Sequence, residues 1–288
     1  MSEFFLELFS EEIPARLQQN SRNMLLDSFQ KLFQEKQILF KKSSSYSTPN
    51  RLIILFEGLS KVITQKAEEI KGPNVNAPEK AIEGFLRSNQ INKQNLFKKK
   101  MEKGDFYFFK KLSKKIDTIN LLEKHTPLIL DKLQWKKSMR WGSYDLNWAR
   151  PLKSILAVFA DKSLGFKFHH LTSSNTTFID KEFEEKKKIF KNFKSYKDFF
   201  SQSGIMIDHN IRKEFIIKEF EKIFKKKNFS IEPNKNLLDE VVDIVEQPNI
   251  IICKFDQKFL NIPKEILIIT MQYHQKYFPT FDKKGKIT

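Results

Sequence analysis

Apolar and polar residues alternate in two different rhythms along this chain, and the pattern predicts mixed helix and strand. Residues 3–9 run almost wholly apolar. Glu3 and Glu7 interrupt Phe4, Phe5, Leu6 and Leu8, and the stretch reads as a strand. Pro14 then opens a helix to about residue 35, with Leu17, Leu25, Phe29, Leu32 and Phe33 near helical spacing. Ser10-Glu11-Glu12 puts acid at that helix start, where the dipole favours it. Ser47-Thr48-Pro49-Asn50-Arg51 reads as a turn feeding a buried strand over residues 52–56. Arg51, at the strand mouth, reads first as a salt-bridge partner and second as a ligand contact. Lys71-Gly72-Pro73-Asn74 is a turn, and Pro78 starts a short helix through Phe85 and Arg87. Lys98-Lys99-Lys100 reads as solvated loop charge. A strand over 105–112 follows the Lys103-Gly104 turn. Residues 116–135 predict a helix, or two broken near Pro127.

The second half is harder to divide. Residues 152–159 are strand or helix, since a short apolar run does not separate the two. Residues 166–178 are irregular and carry His169-His170. A sub-boundary near 161–180 is expected there. Residues 181–197 are dense in charge, Lys186-Lys187-Lys188 among them. Residues 208–229 form an amphipathic helix pattern with Ile211, Phe215, Ile216, Phe220, Ile223 and Phe224. Residues 237–245 predict another helix, Pro248 breaks it, and 250–253 read as a strand. Pro263 opens a helix to about 273. The segment from Lys276 to Gly285 reads as the first arm of a hairpin and its turn. A strand without its partner is a poor end for a domain, so a truncated product or fragment is expected.

Composition narrows the class. The chain has 288 residues, 40% hydrophobic and 30% charged, enough to bury a core in one large or two smaller domains. A single cysteine, Cys253, excludes an internal disulfide framework and fits a reducing compartment. Its place after Ile250-Ile251-Ile252 predicts burial. No stretch approaches the roughly 18 apolar residues of a membrane span, and no basic leader precedes the first apolar run. A cytoplasmic protein with no membrane contact is expected. The net charge is +17, but arginine stands only at positions 16, 22, 51, 87, 140, 150 and 212. Nearly all the basic residues are lysines spread along the chain. They give a diffuse positive field, which alone does not define a nucleic-acid site.

The segment from Met139 to Pro151 concentrates the scarce residue types. Arg140 and Arg150 offer planar forks for carboxylate or phosphate. Trp141 and Trp148 offer flat surfaces with one donor each. Gly142 permits positive φ, and Pro151 holds Arg150 extended. Two readings stay open: a packed turn whose arginines pair with carboxylates such as Asp145, or an RNA or subunit contact. Adjacent histidines do not readily share a metal, and no further ligand lies at metal spacing, so no metal site is expected. No phosphate-cradling glycine loop, nucleophile elbow or class II synthetase motif is present, and no catalytic residue is assigned.

The ordered motifs carry a family resemblance. Phe5-Leu6-Glu7-Leu8 with Ser10-Glu11-Glu12-Ile13-Pro14 is similar to the opening of the beta subunit of bacterial heterotetrameric glycyl-tRNA synthetase. Pro49-Asn50-Arg51-Leu52, Lys71-Gly72-Pro73, Ala81 and Gly84-Phe85 follow. Met139-Arg140-Trp141-Gly142 and Arg150-Pro151 resemble its M-R-W-G and R-P. Glu246, Pro248, Phe259-Leu260, Pro263, Glu265, Thr270-Met271 and Gln275-Lys276-Tyr277-Phe278-Pro279 resemble its closing pattern. Gln247 stands where tryptophan is usual, Asn50 replaces the first arginine of P-R-R-L, and a glycine-histidine-arginine-phenylalanine motif expected near 175–183 is not recognisable.

The resemblance implies an α+β fold of mixed sheets with packed helices, like the B3/B4 module of phenylalanyl-tRNA synthetase beta chains. It implies that residues 1–288 are the N-terminal region of such a subunit, without its HD-type and anticodon-binding domains. It implies glycine–tRNA ligase function in a complex of two alpha and two beta chains. Chemistry, ATP and magnesium would lie on the alpha subunit, while this chain carries no cofactor and contacts glycine tRNA and the alpha subunit. Arg140, Trp141, Arg150 and Lys276 are the expected contacts. The alternatives are a purely structural assembly fragment without RNA affinity, and a tRNA-editing hydrolase module. Glycine, the smallest amino acid, gives editing little to correct.

Overall fold

The first strand, β1 (Ser2–Ser10), is buried from Phe4 to Ser10, so its apolar run reflects a strand covered on both faces. The computed structural model describes residues 2–65, 67–102, 104–178, 187–231 and 234–287. After β1, Pro14 caps α1 (Ala15–Glu35), and β2 (Lys42–Thr48) turns at Pro49-Asn50 into β3 (Arg51–Leu59). The chain divides into two compact units, one of Met1–Ser60 with Leu122–Thr288, the other of Lys61–Leu121. Residues 161–178 belong to the first.

The smaller unit holds β4 (Val62–Gln65), β5 (Glu68–Asn74), α2 (Glu79–Asn89), β6 (Leu96–Met101), β7 (Gly104–Lys111) and β8 (Lys114–Asp117). Strand β4 pairs with β8, and β5-β7-β6 form an antiparallel sheet. Lys98-Lys99-Lys100 lie within β6 rather than in a loop. Leu96 and Phe97 set its register against Phe109 and Phe108, and an edge strand tolerates lysine on its open side. Phe85 of α2 meets Phe109 edge-on at 5.9 Å, so that helix covers one face of the sheet. Lys103 lies outside the described residues.

Helix α3 (Thr118–Asp131) continues through Pro127 as one helix, and residues 114–117 before it are strand. Then come β9 (Leu152–Phe159), β10 (Lys162–Ser163), the hairpin β11 (Lys167–Phe168) and β12 (Leu171–Thr172), β13 (Thr176–Phe178) and β14 (Lys187–Ile189). Helices α4 (Phe193–Gln202) and α5 (His209–Lys227), strand β15 (Ser230–Ile231) and helix α6 (Lys235–Ile244) follow. Asp208 caps α5, accepting a bond from Asn210 N–H at 2.9 Å. Helix α7 (Lys264–Ile269) runs into a π-helical turn, Thr270–His274, and β16 (Thr280–Phe281) pairs with β15. The terminal strand, expected to lack its partner, is paired: besides β15 it has a return arm, where Phe281 bridges Ile287 and Asp282 N–H donates to Lys286 O at 2.9 Å. Of the charged stretch 181–197, residues 179–186 around its start lie outside the described residues.

The main sheet has the order β10-β9-β1-β3-β2, all neighbours antiparallel, with Leu6 opposite both Ile54 and Ala157. Residues 152–159 are therefore a strand, paired along the other side of β1. Alternation sends Phe4 toward α1, where it meets Phe29 at 5.3 Å, and Phe33 stands edge-on to Phe56 at 4.8 Å. Phe5 points the other way, into a core with Ile53, Leu156, Phe193, Tyr196 and Phe200. One expectation fails. Residues 250–253 form no strand, and Cys253 is exposed. An apolar run needs a free sheet edge to become a strand, and no ladder is formed there among the described residues.

Candidate nucleic-acid and subunit interface

The arginine-tryptophan segment is a loop closed by a two-residue antiparallel bridge. Met139 N–H donates to Trp148 O at 2.8 Å, and Trp148 N–H donates to Met139 O at 3.2 Å. Trp148 anchors the bridge. It is 1% exposed, with its ring 4.9 Å from Trp135 and 5.8 Å from Phe168. Inside the loop, Tyr144 N–H donates to Trp141 O at 3.3 Å across Gly142, whose φ of +55° suits a residue without a side chain. The tryptophans thus divide: Trp148 is core, while Trp141 is half-buried at the surface.

Trp141 stands edge-on to His170 at 5.9 Å and to Tyr144 at 6.5 Å, and Tyr144 stacks on His170 at 3.7 Å and 11°. Burial, and then the neighbouring His169, lower the His170 pKa from its ordinary value. Arg140 is exposed beside this aromatic group in sequence. Arg150 is half-buried and turns back, donating from Nη1 to Ala149 O at 2.9 Å. Among the described residues neither arginine pairs with a carboxylate, so the pairing expected with Asp145 is not formed. Asp145 faces instead a cavity of about 260 Å³ with Asp131, Trp135, Asn147, Trp148 and His169.

Lys276 stands apart from the loop. It adopts φ +59° after the π-helical turn, and its ammonium lies 2.8 Å from Glu240 Oε2. It lines another cavity, of about 620 Å³, with Arg16, Gln19, Asp239, Glu240 and Gln272. Arg140 and Trp141, neighbours in sequence, both reach the surface, and Arg150 is tied back onto its own backbone. It places Lys276 with α1 and α6.

Two buried ionic clusters stand in the larger unit, and of them only a salt bridge at Arg51 was legible in the sequence. In the first, Arg51 Nη1 reaches Glu246 Oε1 at 2.8 Å, its Nη2 donates to Phe178 O at 2.9 Å, and its Nε lies 3.4 Å from Glu7 Oε2. The guanidinium also sits over the Phe9 and Phe200 rings, 4.7 and 4.6 Å from their centroids. Thr177 and Tyr196 hydroxyls donate to the Glu7 carboxylate. Burial raises the Glu7 pKa despite Arg51 and these hydroxyls. Burial also works against the Arg51 charge, but Glu246 and Glu7 more than offset it, and its pKa stands above the ordinary value. The salt-bridge reading of Arg51 holds. The clue was Glu7, a carboxylate in a strand otherwise apolar.

In the second cluster, Arg212 of α5 donates from Nε to Val242 O at 3.0 Å and from Nη2 to Ser47 O at 2.7 Å. Arg22 of α1 donates to Ser47 Oγ at 2.8 Å, and both arginines lie within 4 Å of Asp243, at 3.7 and 3.9 Å. Burial lowers the Arg212 pKa to about 10 and, with Arg22 nearby, brings His209 down to about 4. Both clusters join elements, and their carboxylates Glu7, Glu246 and Asp243 stand within 4 Å of an arginine. Among the described residues no three His, Cys, Asp or Glu side chains stand together to hold a metal, and no helix is long and apolar enough to cross a membrane.

Fold and surface define an α+β protein whose buried charges serve packing and whose exposed loop carries arginine and aromatic rings. A family model described as the glycyl-tRNA synthetase beta subunit matches residues 4–288. The chain belongs to that family. It is similar to the glycine–tRNA ligase beta subunit of Rickettsia felis, 37% identical over 287 residues, covering 99% of this chain and 43% of that one. The subunits of Rickettsia akari and Rickettsia prowazekii are 37% and 36% identical over 285 residues, each covering 99% of this chain and 43% of the relative. The chain thus spans 43% of the length of these relatives.

Proposed function

We propose that this chain acts as a beta subunit, or the N-terminal part of one, in a glycine–tRNA ligase. It supports the ATP-dependent attachment of glycine to its tRNA by contacting the tRNA and an alpha subunit. The alpha subunit carries the chemistry and with it ATP and magnesium, in an assembly of two alpha and two beta chains in the cytoplasm. The observation that carries this reading is the surface of the loop closed by Met139 and Trp148. Arg140 is exposed and free of a carboxylate among the described residues, next in sequence to Trp141, which meets Tyr144 and His170 in one aromatic group. Guanidinium forks suit phosphates, and such rings suit an unstacked base. The B3/B4-like character of the sheets belongs to the same reading and rests on the family resemblance alone.

The test is co-purification of the full 288-residue chain with its host's alpha subunit, followed by a glycine-charging assay on the mixture. Association with charging is the expected result. Association without charging would limit the chain to assembly. Failure to associate would remove the subunit role.

A further inference from the structure

The smaller unit carries a surface the family assignment does not explain. In its sheet β5-β7-β6, α2 packs on the face that carries Phe109. Residues opposite one another in an antiparallel ladder share a face. Phe97 pairs with Phe108, Lys99 with Phe106, and Lys71 with Phe108. Lys110 falls on the same face by alternation, and Phe109, against α2, falls on the other. The face away from Phe109 therefore carries three phenylalanines and three lysines, with Phe108 buried at its centre and Phe97 and Phe106 partly exposed. Phe97 stacks with Phe108 at 6.1 Å and 30° and is 37% exposed; Met101, at the far end of the strand, is 43% exposed. The Lys71 ammonium lies 3.7 Å from the Phe106 centroid and that of Lys99 5.6 Å from the Phe108 centroid.

Charge agrees with this layout. Residues 61–121 hold fourteen lysines and arginines against seven acidic residues. On this face one carboxylate, Glu69, lies 2.8 Å from Lys99 at an exposed position, where a pair contributes little. Phe97 stacks on Phe108 at the start of a lysine-rich edge strand and stays partly exposed there, an arrangement that suits a chain anionic along its backbone and flat in its side groups.

We propose that this face of the smaller unit binds unpaired RNA nucleotides. Bases stack on Phe97 and Phe106, while Lys71, Lys99 and Lys110 swing from the rings to the phosphates. Stacking of bases on sheet-borne aromatic rings is sequence-tolerant and depends on the strand being single. The proposal deepens the tRNA-contact reading and rests on it for the RNA met in the cell, while the chemistry of the face stands by itself.

The experiment uses the full chain and fluorescence anisotropy with three labelled probes: a single-stranded 12-nucleotide RNA, a fully paired RNA duplex, and a glycine tRNA transcript. Two variants address the face, Phe97→Leu, which keeps the apolar contact with Phe108 and removes the ring, and Lys71→Gln with Lys99→Gln and Lys110→Gln. Circular dichroism melts confirm that each is folded. Wild type is expected to prefer the single strand to the duplex, and Phe97→Leu to weaken single-strand binding roughly ten-fold. The triple lysine variant is expected to lower the slope of log K against log salt by about 2. Unchanged single-strand binding in both face variants, with tRNA still bound by wild type, overturns the proposal and leaves the tRNA reading standing. Wild type binding neither RNA overturns both. Equal affinity for duplex and single strand, or displacement by polyglutamate as readily as by RNA, shows a general anion surface and also overturns it.

Discussion

Arg51 is the residue on which most of the main unit converges. It touches Glu246, Phe178, Glu7 and the rings of Phe9 and Phe200, joining the sheet to α4 and to the segment after α6. Removing one partner of a buried ion pair leaves an uncompensated charge, at a cost of about 3–5 kcal/mol. Arg51→Met is expected to lower stability by that order in urea unfolding, and Arg51→Met with Glu7→Gln to recover part of it. The pH dependence should change as well. A carboxyl whose folded pKa is raised contributes stability below its unfolded value and loses it as pH rises through the folded one. Without Arg51, the Glu7 value rises further, so the single variant should be relatively more stable in mild acid than at neutral pH. A single variant with wild-type stability would remove Arg51 from this role. Arg51 itself was legible, since an arginine at a strand mouth asks for a carboxylate. Its partners were not, because Glu7 and Glu246 lie far from it in sequence.

At the scale of elements, the helices hold the β2 end of the sheet by charge. Ser47 receives Arg22 from α1 and Arg212 from α5, and Asp243 of α6 stands near both. His209, at the first turn of α5, is kept neutral by burial and by Arg22, with a pKa near 4. Its unfolded value is about 6.5. The unfolded chain therefore binds the extra proton first, and stability is lost as pH falls from about 6.5 toward 4. Thermal melts over that range should show wild type losing stability more steeply than His209→Gln, and parallel curves would contradict the assignment.

Helix α5 and the strand β1 were readable because each has a long, consistent pattern. The second cluster was not, because Arg212 shares the buried face with Ile216, where periodicity expects an apolar residue. The run 250–253 misleads for the opposite reason. Its residues favour strand, but Ile251 is 73% exposed, and propensity does not supply a neighbour. Of the candidate contacts, Trp141 and Arg140 lie at the surface, whereas Trp148, the same residue type, lies in the core. Residue type gave no way to separate them, because the bridge of Met139 to Trp148 decides it.

At the scale of the whole molecule, a +17 charge carried mostly by lysine gives a diffuse field, and specificity has to come from the few places where rings and cations are exposed together. The loop from Arg140 to Asn147 carries an exposed arginine next in sequence to a ring cluster, and the tRNA contact proposed for this chain rests on it. The most direct measurement is the affinity of the full chain for a glycine tRNA transcript at two salt concentrations, for wild type and for Arg140→Ala with Trp141→Leu. Binding should weaken with salt, and the double variant should bind about ten-fold less tightly with a shallower salt slope, as expected for one phosphate contact and one stacked base. A double variant that binds tRNA as tightly as wild type, with the same slope, would contradict it.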